Sequence, residues 1–233
     1  MMWPLIVDWQ QLRFGVEFEF VAGDPTAVLL LPGWTMSLDE HQVDDTGCDS
    51  GSELKPPPLR WQEREQIREM LDRLRATGAQ ANWSCGLHVH VGLEPWGESA
   101  VSPLLDAALI CHGALQALLQ TAEHRLIYCR PVVPAMRAAF AANPTRTALV
   151  HRGRPQSHRC GINTAAWFDI GTVEIRYANA SLEYDEAIRT IEFCLRFVAA
   201  VGAGQQLPAH ATELAAALGA PIDGYPSPTS VPL

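Results

Sequence analysis

Three short segments of this 233-residue chain alternate apolar and polar residues so strictly that each reads as a β-strand, and each carries an ionisable pair on one side. In residues 13–20, RFGVEFEF, Phe14, Val16, Phe18 and Phe20 alternate with Arg13, Gly15, Glu17 and Glu19. Side chains at i and i+2 leave a strand on the same face, with α-carbons about 7 Å apart. Glu17 and Glu19 therefore share a face. GLHVHVG repeats the device with His88 and His90 opposite Leu87, Val89 and Val91. TVEIRY repeats it with Glu174 and Arg176 opposite Val173 and Ile175. Like charges side by side are harmless on a wetted face, but in a cleft they need a cation. If the three strands are neighbours, roughly 4.8 Å apart, the sheet has one apolar face and one floor of carboxylates, imidazoles and a guanidinium.

The rest of the chain supplies the cover for the apolar face. WQEREQIREMLDRLRATG is an amphipathic helix with Ile67, Met70, Leu71 and Leu74 on one stripe and Gly78 placed to cap it. Ser102-Pro103 opens a long apolar helix. Asp106 and His112 within it argue for a core helix, not a membrane span. A last major helix starts at Asp185, and ATELAAALG forms a short one. AVLLLPGW reads as a strand ending at Pro32-Gly33, and SLDEHQVDDTGCDSGS as an acid-rich loop. The prolines of ELKPPPL force an extended exit. RCGINTAAWFD and GTVEIRYANA read as a hairpin turning at Asp169-Ile170-Gly171, and the last ten residues as a loose tail. Hairpin-linked strands with helices that do not alternate one-for-one predict an α+β fold, with a largely antiparallel sheet and three helices packed on one face. The main domain is expected over residues 1–204, with a short helix and Pro-rich tail over 205–233.

Seventeen Lys and Arg against 26 Asp and Glu give a net charge of −9, which excludes a broad basic surface for nucleic acid or an anionic membrane. The six cysteines form no C-x-x-C pair and the N-terminus lacks a basic, apolar leader pattern, so the expected location is cytoplasmic. Nothing in the sequence fixes an oligomeric state.

Carboxylates with one or two histidines suit a divalent cation. An oxygen-rich set favours Mg²⁺ or Mn²⁺, and more imidazole favours Zn²⁺. An arginine beside such ions suits a phosphoryl group. A further acid, Glu53 in SELKP, follows the acidic loop. Each motif also has a plainer reading: a wetted strand face, half-buried histidines, or a Glu174–Arg176 ion pair.

Taken in order, FGVEFEF, GSELKPPPL, CGLHVHVG and RCGINTAAWFDIGTVEIRYANAS resemble the amidoligase family, which is related to glutamate–cysteine ligase. The resemblance runs from about residue 13 to about residue 201. It implies a glutamine synthetase-like catalytic domain, a curved sheet whose concave face holds Mg²⁺ ions between ATP and a substrate carboxylate. By position in the matching motifs, Glu17, Glu19, Glu53, His88 and Glu174 would be metal ligands, with one loop aspartate. Among Asp39, Asp44, Asp45 and Asp49, the favoured one is Asp45. Arg176 would hold the γ-phosphate and act catalytically with Glu53 and Glu174, while Arg159, Asn163 and His90 would contact nucleotide or substrate. The implied activity is an ATP-dependent carbon–nitrogen ligase joining a small-molecule or peptide carboxylate to an amine through an acyl phosphate, with Mg²⁺ or Mn²⁺. The alternatives are a zinc hydrolase using His88 and His90, or a guanidino phosphotransferase on the same fold. Cys85 is the one tempting thiol. Arg130, Arg137, Arg146, Arg152 and Arg154 gather in one loop region, either to grip an anion or as a solvated edge.

Overall fold

The alternating segments do become strands, and they are neighbours. The computed structural model describes residues 3–43, 48–150 and 160–231. Six strands form one open sheet: β1 (Phe14–Phe20), β2 (Thr35–Val43), β3 (Asp49–Lys55), β4 (Gly86–Gly92), β5 (Ile162–Asn163) and β6 (Thr172–Asn179). Their spatial order is β2-β3-β1-β4-β6-β5, and every neighbouring pair is antiparallel. The three strands carrying ionisable pairs occupy the centre, where both faces must be filled or functional.

The apolar face comes from the alternate residues. Phe14, Val16, Phe18 and Phe20 of β1, Leu87, Val89 and Val91 of β4, and Val173 and Ile175 of β6 are each at most 2% exposed. The helices α1 (Glu65–Ala76), α2 (Val101–Leu118), α5 (Tyr184–Gly202) and α6 (Ala211–Leu218) bury their apolar stripes in the same cluster. Ile67, Met70, Leu71 and Leu74 make the stripe of α1, and Gly78 follows it at φ +88°. Each such large side chain contributes about 1.5–3 kcal/mol on full burial. That burial fixes which way the sheet faces, because a one-residue slip would put every carboxylate into the core.

Two short helices, α3 (Pro134–Ala142) and α4 (Ala166–Ile170), complete the described elements of regular α-structure. By length and composition the Gly97–Leu118 segment would cross a membrane. Within the fold it is a core helix, with Val101, Leu104, Leu105, Ala108, Cys111, Ala114, Leu115 and Leu118 buried.

Several local expectations are corrected. Residues 28–31 form no strand, and Leu29 is 76% exposed. Prolines at both ends, Pro25 and Pro32, limit the donors that a ladder there could use. The acid-rich stretch instead forms the β2–β3 hairpin, paired Ser37 to Glu53 and Leu38 to Ser52, with register shifts toward its turn. It carries little apolar alternation because it lies at the sheet edge, so periodicity could not reveal it. The long helix starts at Val101, continuing a 3-10 turn over Gly97–Ala100, and Pro103 sits inside its first turn, where no N–H donor is needed. The expected strand before β6 shrinks to two residues, because Ala166–Ile170 turns helical. The tail is held at its start, where Asn179 Nδ2 donates to the Pro226 carbonyl and the Tyr225 ring is buried against Phe193, while residues 227–231 are exposed and without regular structure.

Candidate functional site

On the opposite face of the sheet the ionisable pairs fall into register. Glu17 lies across from His88, Glu19 across from Glu53, and His90 across from Glu174. Directly opposite residues have β-carbons about 4.5–5.5 Å apart. Four acids and two histidines from four strands therefore converge. They line a cavity of about 360 Å³ together with Arg176 and Asn163.

His88 Nδ1 lies 2.9 Å from Glu17 Oε2, 3.6 Å from Glu19 Oε1 and 3.8 Å from Glu174 Oε1. His90 Nε2 lies 3.5 Å from Glu17 Oε1 and 3.9 Å from Glu174 Oε1. The Thr172 hydroxyl is 3.1 Å from His90 Nδ1, so this contact orients the ring with Nε2 toward the carboxylates. One potential ligand atom from each of Glu17, His90 and Glu174 lies within 4.8 Å of the others. Glu174 also accepts from Asn163 Nδ2 at 2.7 Å and from Arg176 Nη1. Glu53 pairs with Lys55, and Glu19 accepts the Gly86 N–H.

The electrostatics follow from this crowding. Four carboxylates against two fixed cations, Arg176 and Lys55, leave a deficit of two charges on the floor. Two protons on imidazoles or one divalent ion would cancel it. Burial opposes ionisation of Glu17, yet its bonds to His88 and His90 and their charges outweigh that and hold it well below the carboxylate range. Burial likewise opposes charge on Glu174, and Arg176 and the two histidines overcome it. Burial also works against a charged His90, but the Glu17 bond and the Glu174 charge raise its affinity for a proton. Glu53 goes the other way, raised by burial and by the charge of Glu17 against the pull of Lys55. The His90 imidazole thus stands where a cation would be favoured. The donor set, carboxylate oxygens with one or two imidazoles, fits a hard divalent ion better than zinc.

Of the residues singled out in the sequence, Glu17, Glu19, Glu53, His88, His90, Asn163, Glu174 and Arg176 are brought together. His88, the imidazole the sequence favoured, lies within 3.8 Å of three of these carboxylates, and His90 forms a three-donor group with Glu17 and Glu174. Asp45 and Arg159 lie outside the described residues, as do Asp44, Arg152 and Arg154; Asp39 and Asp49 lie on β2 and β3. Among the loop arginines, Arg146 reaches the cavity rim and pairs with Asp169 of α4 at 2.8 Å, while Arg137 pairs with Asp106. The Cys85 thiol is buried and pushed up to about 11 by that burial, which leaves it protonated and unreactive at neutral pH.

Sequence reasoning missed Lys55 and Thr172, although the alternation of ELK and TVEIR put both on the polar face. It also missed Gln42, Asp169 and Arg125, whose strands and loops gave no signal, and left Arg146 open between an anion grip and a solvated edge. Gln42 Oε1 and Arg176 Nε are buried without a hydrogen-bond partner among the described residues. Arg125 lies against Gly86 so closely that a β-carbon there would meet its guanidinium, and its Nε and Nη2 are likewise unpartnered. Of these, Gln42 and Arg176 line the cavity, where a ligand could satisfy them.

Fold and floor together form a sheet-borne cluster whose chemistry suits a divalent cation next to an anion. Comparison with known proteins narrows the class. Residues 26–198 match the family described as "Putative amidoligase enzyme". The match begins after β1, so the Glu17/Glu19 strand joins the site through its pairing with β3 and β4. Among solved structures, a bifunctional glutathione synthetase from Pasteurella multocida shares the fold, with a TM-score of 0.51 at 12% identity. That similarity covers 91% of this chain and 40% of the synthetase chain, so this chain spans well under half of that protein's length. No curated protein sequence matches. The chain belongs to the amidoligase family.

Proposed function

We propose that this protein is an ATP-dependent carboxylate–amine ligase that forms an amide through an acyl phosphate. The observation that carries this reading is the convergence of Glu17, Glu19, Glu53, Glu174, His88 and His90 on one sheet face beside Arg176. Glu17, Glu174 and His90 would hold a first Mg²⁺ or Mn²⁺, with Glu19, His88 and Glu53 in reach of a further ion. Such ions, when bound, neutralise the repulsion between the triphosphate and the carboxylate that must meet it.

The chain's own residues do the positioning. Arg176, fixed by Glu174 and lining the cavity, would face the γ-phosphoryl oxygens, whose charge spreads during transfer. Asn163 holds Glu174 from the other side, and its Oδ1 is itself engaged by the Ala165 N–H, so the acid is braced. A carboxylate oxygen attacks the γ-phosphorus and ADP leaves. The amine nitrogen then attacks the acyl carbon, loses a proton, and inorganic phosphate departs. No protein nucleophile is required, in keeping with the protonated Cys85.

The reading is tested by calorimetric titration of the protein with Mn²⁺ and with ATP in excess Mg²⁺, followed by ADP release across panels of carboxylates and amines. Binding of both ligands and amine-dependent ADP release are expected. Absence of Mn²⁺ and nucleotide binding at millimolar concentration refutes the proposal.

A further inference from the structure

Next to the acidic floor lies a second cavity of about 320 Å³, which shares Glu17, His90 and Ile170 with it but has mostly apolar walls. Its floor is Gly15 of β1, directly across from His90. Pro56 and Pro58 of the extended exit form one wall, and Ile170, 65% exposed at the end of α4, hangs over it. Arg13 and Glu94 stand at the far end, and among the described residues neither side chain has an ion-pair partner. From Glu17 to Arg13 the groove runs four residues along β1, about 13 Å at roughly 3.3 Å per residue.

Gly15 is the informative residue. It sits in a central strand, where glycine weakens the sheet, and its φ is not in the left-handed region. A β-carbon added there would meet nothing nearer than His90 Cβ at 3.9 Å. Neither backbone geometry nor internal packing calls for the missing side chain. Close approach of a ligand does. At Gly92, by contrast, a β-carbon would meet the Glu94 carboxylate, the movable end of a flexible side chain.

We propose that this groove holds the base and ribose of the nucleoside triphosphate, with a purine between Gly15 and Ile170 and its exocyclic amine donating to Glu94. This rests on the ligase reading above. The length of the groove favours a nucleoside over the side chain of an acid substrate. Its near end meets the candidate metal residues, where the phosphates belong, and its polar groups lie a full nucleoside's reach away.

The test compares binding of Mg·ATP and Mg·tripolyphosphate by calorimetry to wild type, Gly15→Val and Ile170→Asp. Wild type should bind ATP at least about tenfold tighter than tripolyphosphate, since burying the base adds apolar contact. Gly15→Val should fill the groove and bring ATP affinity down to that of tripolyphosphate, with tripolyphosphate binding unchanged. Ile170→Asp, on an exposed side chain, should weaken ATP binding in the same selective way even if the strand substitution misfolds. Equal wild-type affinity for the two ligands, or variants that bind ATP like wild type, overturns the base groove and leaves the ligase reading standing. Failure of wild type to bind either ligand overturns both.

Discussion

Replacing Glu174 by Gln should be the most revealing single change, because the acid serves stability and binding at once. Glu174 and Arg176 are both buried, and Arg176 finds in Glu174 its one ion-pair partner among the described residues. Glutamine keeps the shape and the Asn163 contact but removes the guanidinium's ion-pair partner, leaving it only the more distant charges of Glu19 and Glu17. Removing one member of a buried pair costs about 3–5 kcal/mol, and the lower end applies here because the amide oxygen still accepts a hydrogen bond. For a domain of this length about 3 kcal/mol lowers Tm by roughly 6–12 °C. The Glu17–His90–Glu174 group would also lose an anionic donor, so Mn²⁺ affinity should fall at least about tenfold. Differential scanning calorimetry on metal-free protein and a Mn²⁺ titration measure the two effects separately. A variant melting within about 2 °C of wild type would mean that the arginine is compensated elsewhere, and the account of the site would fail.

Glu53 should respond with the opposite sign. Its proton affinity is raised by burial and by Glu17, so at neutral pH its charge works against folding, a penalty that grows as pH rises from the ordinary carboxylate range. Glu53→Gln should therefore leave metal-free Tm unchanged or higher at pH 7 while weakening Mn²⁺ binding, and a clear loss of Tm contradicts the argument. His90 sets a second pH trend. With its folded pKa above the ordinary 6.5, its stabilising contribution is complete below 6.5 and is lost as pH climbs through the folded value. Metal-free Tm should drop over that window in wild type and stay flat in His90→Gln. Mn²⁺ affinity should rise over the same window, because the ion displaces that proton. A pH-independent affinity there counts against His90 as a ligand.

What could be read along the chain was whatever a period of two encodes. Phe14 to Phe20, Leu87 to Val91 and Val173 to Ile175 specified three strands and their buried face, and the same alternation named Glu17, Glu19, His88, His90, Glu174 and Arg176 as facing one way. Strand order, register and the β2–β3 hairpin were not legible. A polar edge strand has no apolar rhythm, and pairing partners are chosen by contacts between residues far apart in sequence. For the same reason only the folded chain could show that Glu17 meets His88, that Gln42, Arg146 and Asp169 line the same cavity as the floor, and that Gly15 and Ile170 line one groove. Sequence determined which side chains share a face. Tertiary structure decided which of them meet.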